Sequence, residues 1–140
     1  MLQGEALSAI NELRQSKGLR RLRVNRTLSQ VAISHSVSMA VHGFFSHSGY
    51  KGSTFWRRIS ARYGPDSRAY WGVGETLAWA SPQLGARQAI DLWLASPSHR
   101  RTLLTAAWRD IGLGAVHALA APGVYHGRAV TILTADFGFR

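Results

Sequence analysis

IGLGAVHALAAPGVYHGRAVTILTADFG, residues Ile111–Gly138, is the stretch on which the fold of this chain turns. Two runs in it, IGLGAV (111–116) and AVTILTADFG (129–138), are rich in glycine or β-branched residues, and AAPGVYHG between them concentrates turn formers. That pattern predicts two antiparallel strands joined by a turn. Working outward, YWGVGETLAWA (70–80) has glycines and aromatics at no helical spacing and reads as a further extended segment. The rest is helical in pattern. Ala6, Ile10 and Leu13 recur at i, i+4, i+7 between Glu5 and Lys17, and Gly18 follows as a stop.

After the short basic linker GLRRLRVNR, Asn25 or Thr27 is placed to cap a second helix. Leu28, Ala32, His35, Met39 and His42 share one stripe of it, and Gly43 ends it. Thr54 to Arg62 predicts a short helix before a turn at Gly64-Pro65-Asp66. Ser81-Pro82 and Ser96-Pro97 both read as a cap followed by proline at the first helical position. The first opens a helix with Ala86, Ala89, Ile90 and Trp93 on one face, and the second a short helix with His99 in its first turn. Helices first and strands mostly later predict an α+β fold in which helices cover a small antiparallel sheet.

A length of 140 residues predicts one domain, 1–140, with one core. A mean hydropathy of −0.08 and the lack of a long apolar run exclude a membrane-spanning helix. With no cysteine, disulfides, thiolate nucleophiles and Cys-based zinc sites are excluded, so any metal would rest on His and carboxylates. The formal charge of +10, carried almost wholly by arginine, favours acidic or phosphate-rich partners.

Motifs for zinc proteases, phosphate-cradling loops, nucleophile elbows and dinucleotide folds are all missing. Seven acidic residues and six histidines therefore bound the possible chemistry. Glu75 stands out in GVGETLAW, where a structural strand favours apolar or β-branched residues. His47 in FSHSG and His99 in SPSHR lie in a loop and at a helix start, where side chains converge on clefts. Two imidazoles and a carboxylate are a donor set suited to Zn²⁺. His35 and His42 lie on an apolar stripe and read as core or boundary residues, while His117 and His126 read as surface residues. In VHGFFSHSGYKGSTF (41–55), Phe44 and Phe45 are expected to anchor the loop, and Gly49 and Gly52 to let it turn.

The blocks INELRQSKGLRRLRVNRTLSQVAISHSVSMA, FFSHSG, GVGETLAW, SPSHRRTLL, WRDIGLGAV and ILTADFG, in that order, resemble the CAP superfamily. This is the family of cysteine-rich secretory, antigen 5 and pathogenesis-related 1 proteins, and the likeness is greatest to its compact, cysteine-poor bacterial branch. The resemblance implies a three-layer α-β-α sandwich. It also implies a cleft lined by two histidines and two glutamates, able in several members to bind zinc. His47, Glu75 and His99 match three of these positions, while the fourth, three residues after Trp93, falls on Ser96. Members have been connected with sterol or fatty-acid binding, protease-like activity and cell-wall roles. Most are secreted, so an extracellular or envelope location is expected, with any signal lying upstream of Met1.

Three functions follow as expectations. The first is a monomeric binding domain that takes zinc or a small or lipid-like ligand in the cleft, with Trp56 and Trp71 held open as cleft-wall residues. The second is a hydrolase with Glu75 as base, and the third an electrostatic binder of anionic envelope polymer or lipid. That last reading uses Arg14, Arg20, Arg21, Arg23 and Arg26, extended by Arg57 and Arg58. Nucleic acid is disfavoured, because no aromatic and basic β-platform is evident.

Overall fold

The computed structural model describes residues 1–64 and 70–140. Its elements run α1 (Leu2–Ser16), β1 (Arg23–Val24), α2 (Arg26–His42), α3 (Phe55–Tyr63), β2 (Gly72–Ala80), α4 (Ala86–Leu94), α5 (Pro97–Leu103), β3 (Asp110–Ala121) and β4 (Arg128–Phe139). The fold is α+β, with strands in the order β1-β3-β4-β2. The expected strand pair is β3 with β4, antiparallel with Leu113 opposite Ala135, and β2 extends it antiparallel on the far side of β4. The sheet is mixed rather than wholly antiparallel, because β1, inside what reads as a linker, runs parallel to β3. The expected turn at Gly64-Pro65-Asp66 lies, beyond Gly64, outside the described residues.

Strand alternation sorts the core into two layers. Ile111, Leu113, Leu133, Ala135 and Phe137 face α1, α4 and α5, where they pack with Ile10, Ile90, Trp93 and Leu103. On the other face, Leu77, Val130 and Ile132 pack with Met39 and Ala40 of α2. Leu28 and Val31 of the same helix join Ile59 and Tyr63 of α3. Helices therefore cover both faces of the sheet. Gly112 and Gly114 point at α2, and a Cβ on either would lie within 2.2 Å of a backbone atom of that helix. This close approach is what the glycines in IGLG provide.

Asn25 is the cap of α2, its side chain accepting from the Leu28 N–H at 2.9 Å, and Gly43 closes the helix in the left-handed region. At Ser81-Pro82 the expected helix start is displaced. That peptide bond is cis, the Ser81 hydroxyl donates to the Ala129 carbonyl at 2.7 Å, and α4 begins only at Ala86 behind Gly85. The side chain is spent on tying β2 to β4 instead of capping a helix.

Arg14 belongs to the interior and not to a cationic surface. Its fully buried guanidinium donates to the carbonyls of Arg20, Leu103 and Thr105 at 2.8–2.9 Å, tying α1 to the end of α5. Neighbouring Asn11 clamps the basic linker by exchanging two hydrogen bonds with the Leu22 backbone.

Candidate functional site

Glu75 lies on β2, an edge strand, and alternation turns it to the α2 and α3 side, where its side chain is closed to solvent. Burial alone would push this carboxyl up. It is held below its usual range because its neighbours outweigh burial, chiefly a hydrogen bond with His47, the adjoining Asp136 acid and the Arg58 charge. Arg58 Nη2 donates to Glu75 Oε2 at 2.7 Å and to the His47 carbonyl at 2.9 Å, so α3 fixes both the carboxylate and the loop. His47 Nδ1 lies 3.0 Å from Glu75 Oε1. Facing an ionised carboxylate, Nδ1 is the donor of this contact, and Nε2 of the half-exposed ring is not used in it.

His99 reaches the same place from α5. Its ring centroid is 6.3 Å from that of His47, and burial with the neighbouring His47 ring lowers its pKa, favouring the neutral form. The structure thus brings His47, Glu75 and His99 together. Both Glu75 oxygens are engaged within the protein, and no group of three or more His, Asp or Glu among the described residues is placed to hold a metal ion. The donor set that remains open is the imidazole pair, with Glu75 behind His47 in the outer position that a carboxylate takes in carboxylate–histidine–metal triads.

Ser96, Trp56 and Trp71 make no hydrogen bond or ring contact with His47, Glu75 or His99 among the described residues. Ser96 caps α5 without a side-chain cap bond, its Oγ 3.4 Å from Ser98 Oγ. Trp56 is 47% exposed with the Arg57 guanidinium 5.2 Å from its ring centroid, and Trp71 is half-buried just before β2. Neither tryptophan makes a ring contact with the histidines among the described residues. Of the two phenylalanines expected to anchor the loop, Phe44 packs against the core while Phe45 is 39% exposed. Arg58, like Arg14, leaves the anionic-surface set, because it is spent on Glu75; Arg20, Arg21 and Arg23 join Arg109 around a concavity of about 280 Å³.

Three residues of the site were not expected. His35 is buried, and its Nε2 donates to the Ser46 carbonyl at 2.8 Å while lying 4.0 Å from Glu75 Oε1. Burial lowers its pKa and keeps it neutral, despite the opposing pull of Glu75. Arg58 supplies the counter-charge. Asp136 is the cross-strand partner of Glu75, fully buried, with neither oxygen in hydrogen-bonding geometry with a partner among the described residues. Burial first, then the Glu75 charge, raises its pKa well above the usual range, so the carboxyl is held as the neutral acid.

Asp136→Asn is therefore expected to stabilise the fold at pH 8, raising the melting midpoint by a few degrees. Between the unfolded pKa of about 3.9 and the raised native value, the native state binds the extra proton, so wild-type stability falls as pH rises. The amide has no proton to hold, and its advantage should vanish towards pH 3.5. Melting curves at the two pH values check this, and equal midpoints at pH 8 would contradict a protonated Asp136.

An α+β sandwich with a histidine pair backed by a buried carboxylate defines the class of protein. Residues 7–125 match the cysteine-rich secretory protein (CAP) family, and the chain belongs to it. Among solved structures it resembles an outer surface protein from Borrelia burgdorferi, at TM-score 0.71 and 24% identity over 96% of this chain and 89% of that one. An extracellular protein containing a SCP domain from Bacillus anthracis gives the same score and identity, over 96% of this chain and 39% of that one. The uncharacterized membrane protein YlbC of Bacillus subtilis (strain 168) is 27% identical over 110 residues, 79% of this chain. The match spans only 30% of that relative's length. No helix among the described residues is long and apolar enough to cross a membrane.

Proposed function

We propose that this chain is a binding domain of the cell exterior or envelope whose cleft takes Zn²⁺ or a small ligand at the His47–His99 pair. The observation that carries the reading is the 3.0 Å contact from His47 Nδ1 to the buried Glu75, which orients the ring and fixes its tautomer. His47 Nε2 and His99 would hold the ion, and bound there it would supply Lewis acidity. Two imidazoles, with Arg58 neutralising the carboxylate behind one of them, make a weak site. The exterior location is supported by the likeness to an outer surface protein and to an extracellular one.

Calorimetric titration with Zn²⁺ tests the reading. Binding is expected to be abolished in His47→Ala and in His99→Ala, and weakened about tenfold in Glu75→Gln, the usual scale for an outer-sphere partner. Unchanged heats in both alanine variants would sink it.

The same contact favours a second reading, a hydrolase, in an altered form. Because the Glu75 side chain is closed to solvent, it cannot itself take a proton from substrate water, and the base becomes His47 with Glu75 as its orienting group. Hydrolysis of an ester or peptide probe at the wild-type rate in His47→Ala would exclude this reading.

A further inference from the structure

A second cavity, of about 410 Å³, opens between α2, α3 and the loop that carries Gly49 and Gly52. His47, Glu75 and His99 do not line it. Among the described residues its charged lining is entirely cationic: Lys51 from the loop, and Arg58 and Arg62 from successive turns of α3. Three hydroxyls, on Ser34, Ser38 and Ser53, add neutral donors. No aspartate or glutamate among the described residues lines it. The His42 and Tyr50 rings, stacked with centroids 3.7 Å apart, form part of its wall.

The charges in this lining are unevenly compensated. Arg58 is balanced by Glu75 behind it, whereas among the described residues Arg62 is held by a neutral partner, the Gln30 side chain at 3.0 Å. Lys51 is exposed at the mouth. Arg58 Nε and Nη1 are closed to solvent, so Arg58 contributes its charge to the cavity and not these two donors. Two uncompensated cations over hydroxyl donors match a dianion better than a carboxylate. The volume exceeds what a bare phosphate fills and leaves space for an organic group against the His42–Tyr50 wall.

We infer that this cavity is a binding site for a phosphate monoester, with Lys51, Arg62 and the serine hydroxyls on the phosphate and Arg58 as its cationic floor. The cavity shares His35 and Arg58 with the histidine site, whereas its proposed phosphate contacts, Lys51, Arg62 and the serines, lie outside that site. Glucose 6-phosphate serves as a soluble probe, glucose as its neutral control, and phosphatidylcholine vesicles with and without phosphatidic acid as a test of a lipid-borne monoester.

Binding of glucose 6-phosphate or of the phosphatidic acid vesicles, but not of glucose or plain vesicles, is expected by calorimetry or co-sedimentation. The arm that responds identifies the source of the phosphate. Lys51→Gln/Arg62→Gln should raise the dissociation constant at least about tenfold, the scale of one lost charge-assisted hydrogen bond. Lys17→Gln/Arg87→Gln removes the same net charge elsewhere on the surface and should change it less than about twofold. Equal losses in the two double variants, unchanged binding in Lys51→Gln/Arg62→Gln, or no binding to either phosphate probe would overturn the assignment. All four substituted side chains are exposed, so the fold survives and each result is readable.

Discussion

Gly114→Ala is expected to destabilise the protein by about 3 kcal/mol or more, lowering the melting midpoint by roughly 10 °C, with Gly112→Ala close behind. A Cβ on Gly114 would sit 2.2 Å from the Ile33 nitrogen, and one on Gly112 would sit 2.1 Å from the Leu28 carbonyl carbon. Both obstacles are helix backbone, so no rotamer change makes room. Either α2 lifts away from β3 or the strand bows. Lifting α2 would also break the Ser36 hydroxyl contacts to the Gly114 carbonyl and to Thr134 Oγ1, both 2.8 Å, and loosen Leu28, Ala32 and Met39, which are fully buried. Thermal melts followed by circular dichroism would check this. A midpoint within about 2 °C of the parent would mean that α2 is seated on β3 less tightly than these contacts require.

Those glycines also illustrate what could be read in advance. IGLG was legible as a strand from its turn-flanked pattern, but its close contact with a helix is a tertiary fact that local pattern does not carry. Five helices and the β2, β3 and β4 strands followed from periodicity and punctuation. The two-residue β1 did not, because a strand that short has no alternation to detect and is defined by its partner Asp110–Ile111. At Ser81-Pro82 the sequence rule for a helix start met a competing use of the same hydroxyl on Ala129.

The candidate site was legible in its histidines and in Glu75, and less so in what holds them. Asp136 does carry a signal: like Glu75 it is an acid inside an otherwise apolar strand, and alternation from Thr134 puts it on the polar face under α2. His35 was hidden by its place on an apolar stripe, where a buried histidine and a site histidine look alike. Arg58 sits in a run with Arg57, and sequence alone does not say which of the two turns inward. The helix face does: Arg58 is one turn after Phe55, next to buried Ile59, while Arg57 stays exposed over Trp56.

Arg58→Met is the second large effect, a loss of about 3–5 kcal/mol at pH 8, because it leaves the Glu75 charge buried without its counter-ion. The loss should depend on pH, with a sign fixed by linkage. In the parent, Glu75 is held below its usual range, and the stability this contributes is present above the unfolded pKa of about 4.3 and fades as pH falls through the native value. Without Arg58, burial meets less opposition and the native pKa moves up, so the stability that ionised Glu75 contributes above the unfolded pKa shrinks and the variant falls further behind the parent as pH rises. Denaturant titrations should therefore find the deficit largest at pH 8 and much smaller near pH 4. Glu75→Gln in the same chain removes the orphaned charge, so the double variant should be more stable at pH 8 than Arg58→Met alone, with a coupling of about 1 kcal/mol or more expected for side chains in direct contact. A deficit independent of pH, or strict additivity of the two substitutions, would mean that Arg58 supports the site by packing alone, and that Glu75 and Asp136 settle their charge without it.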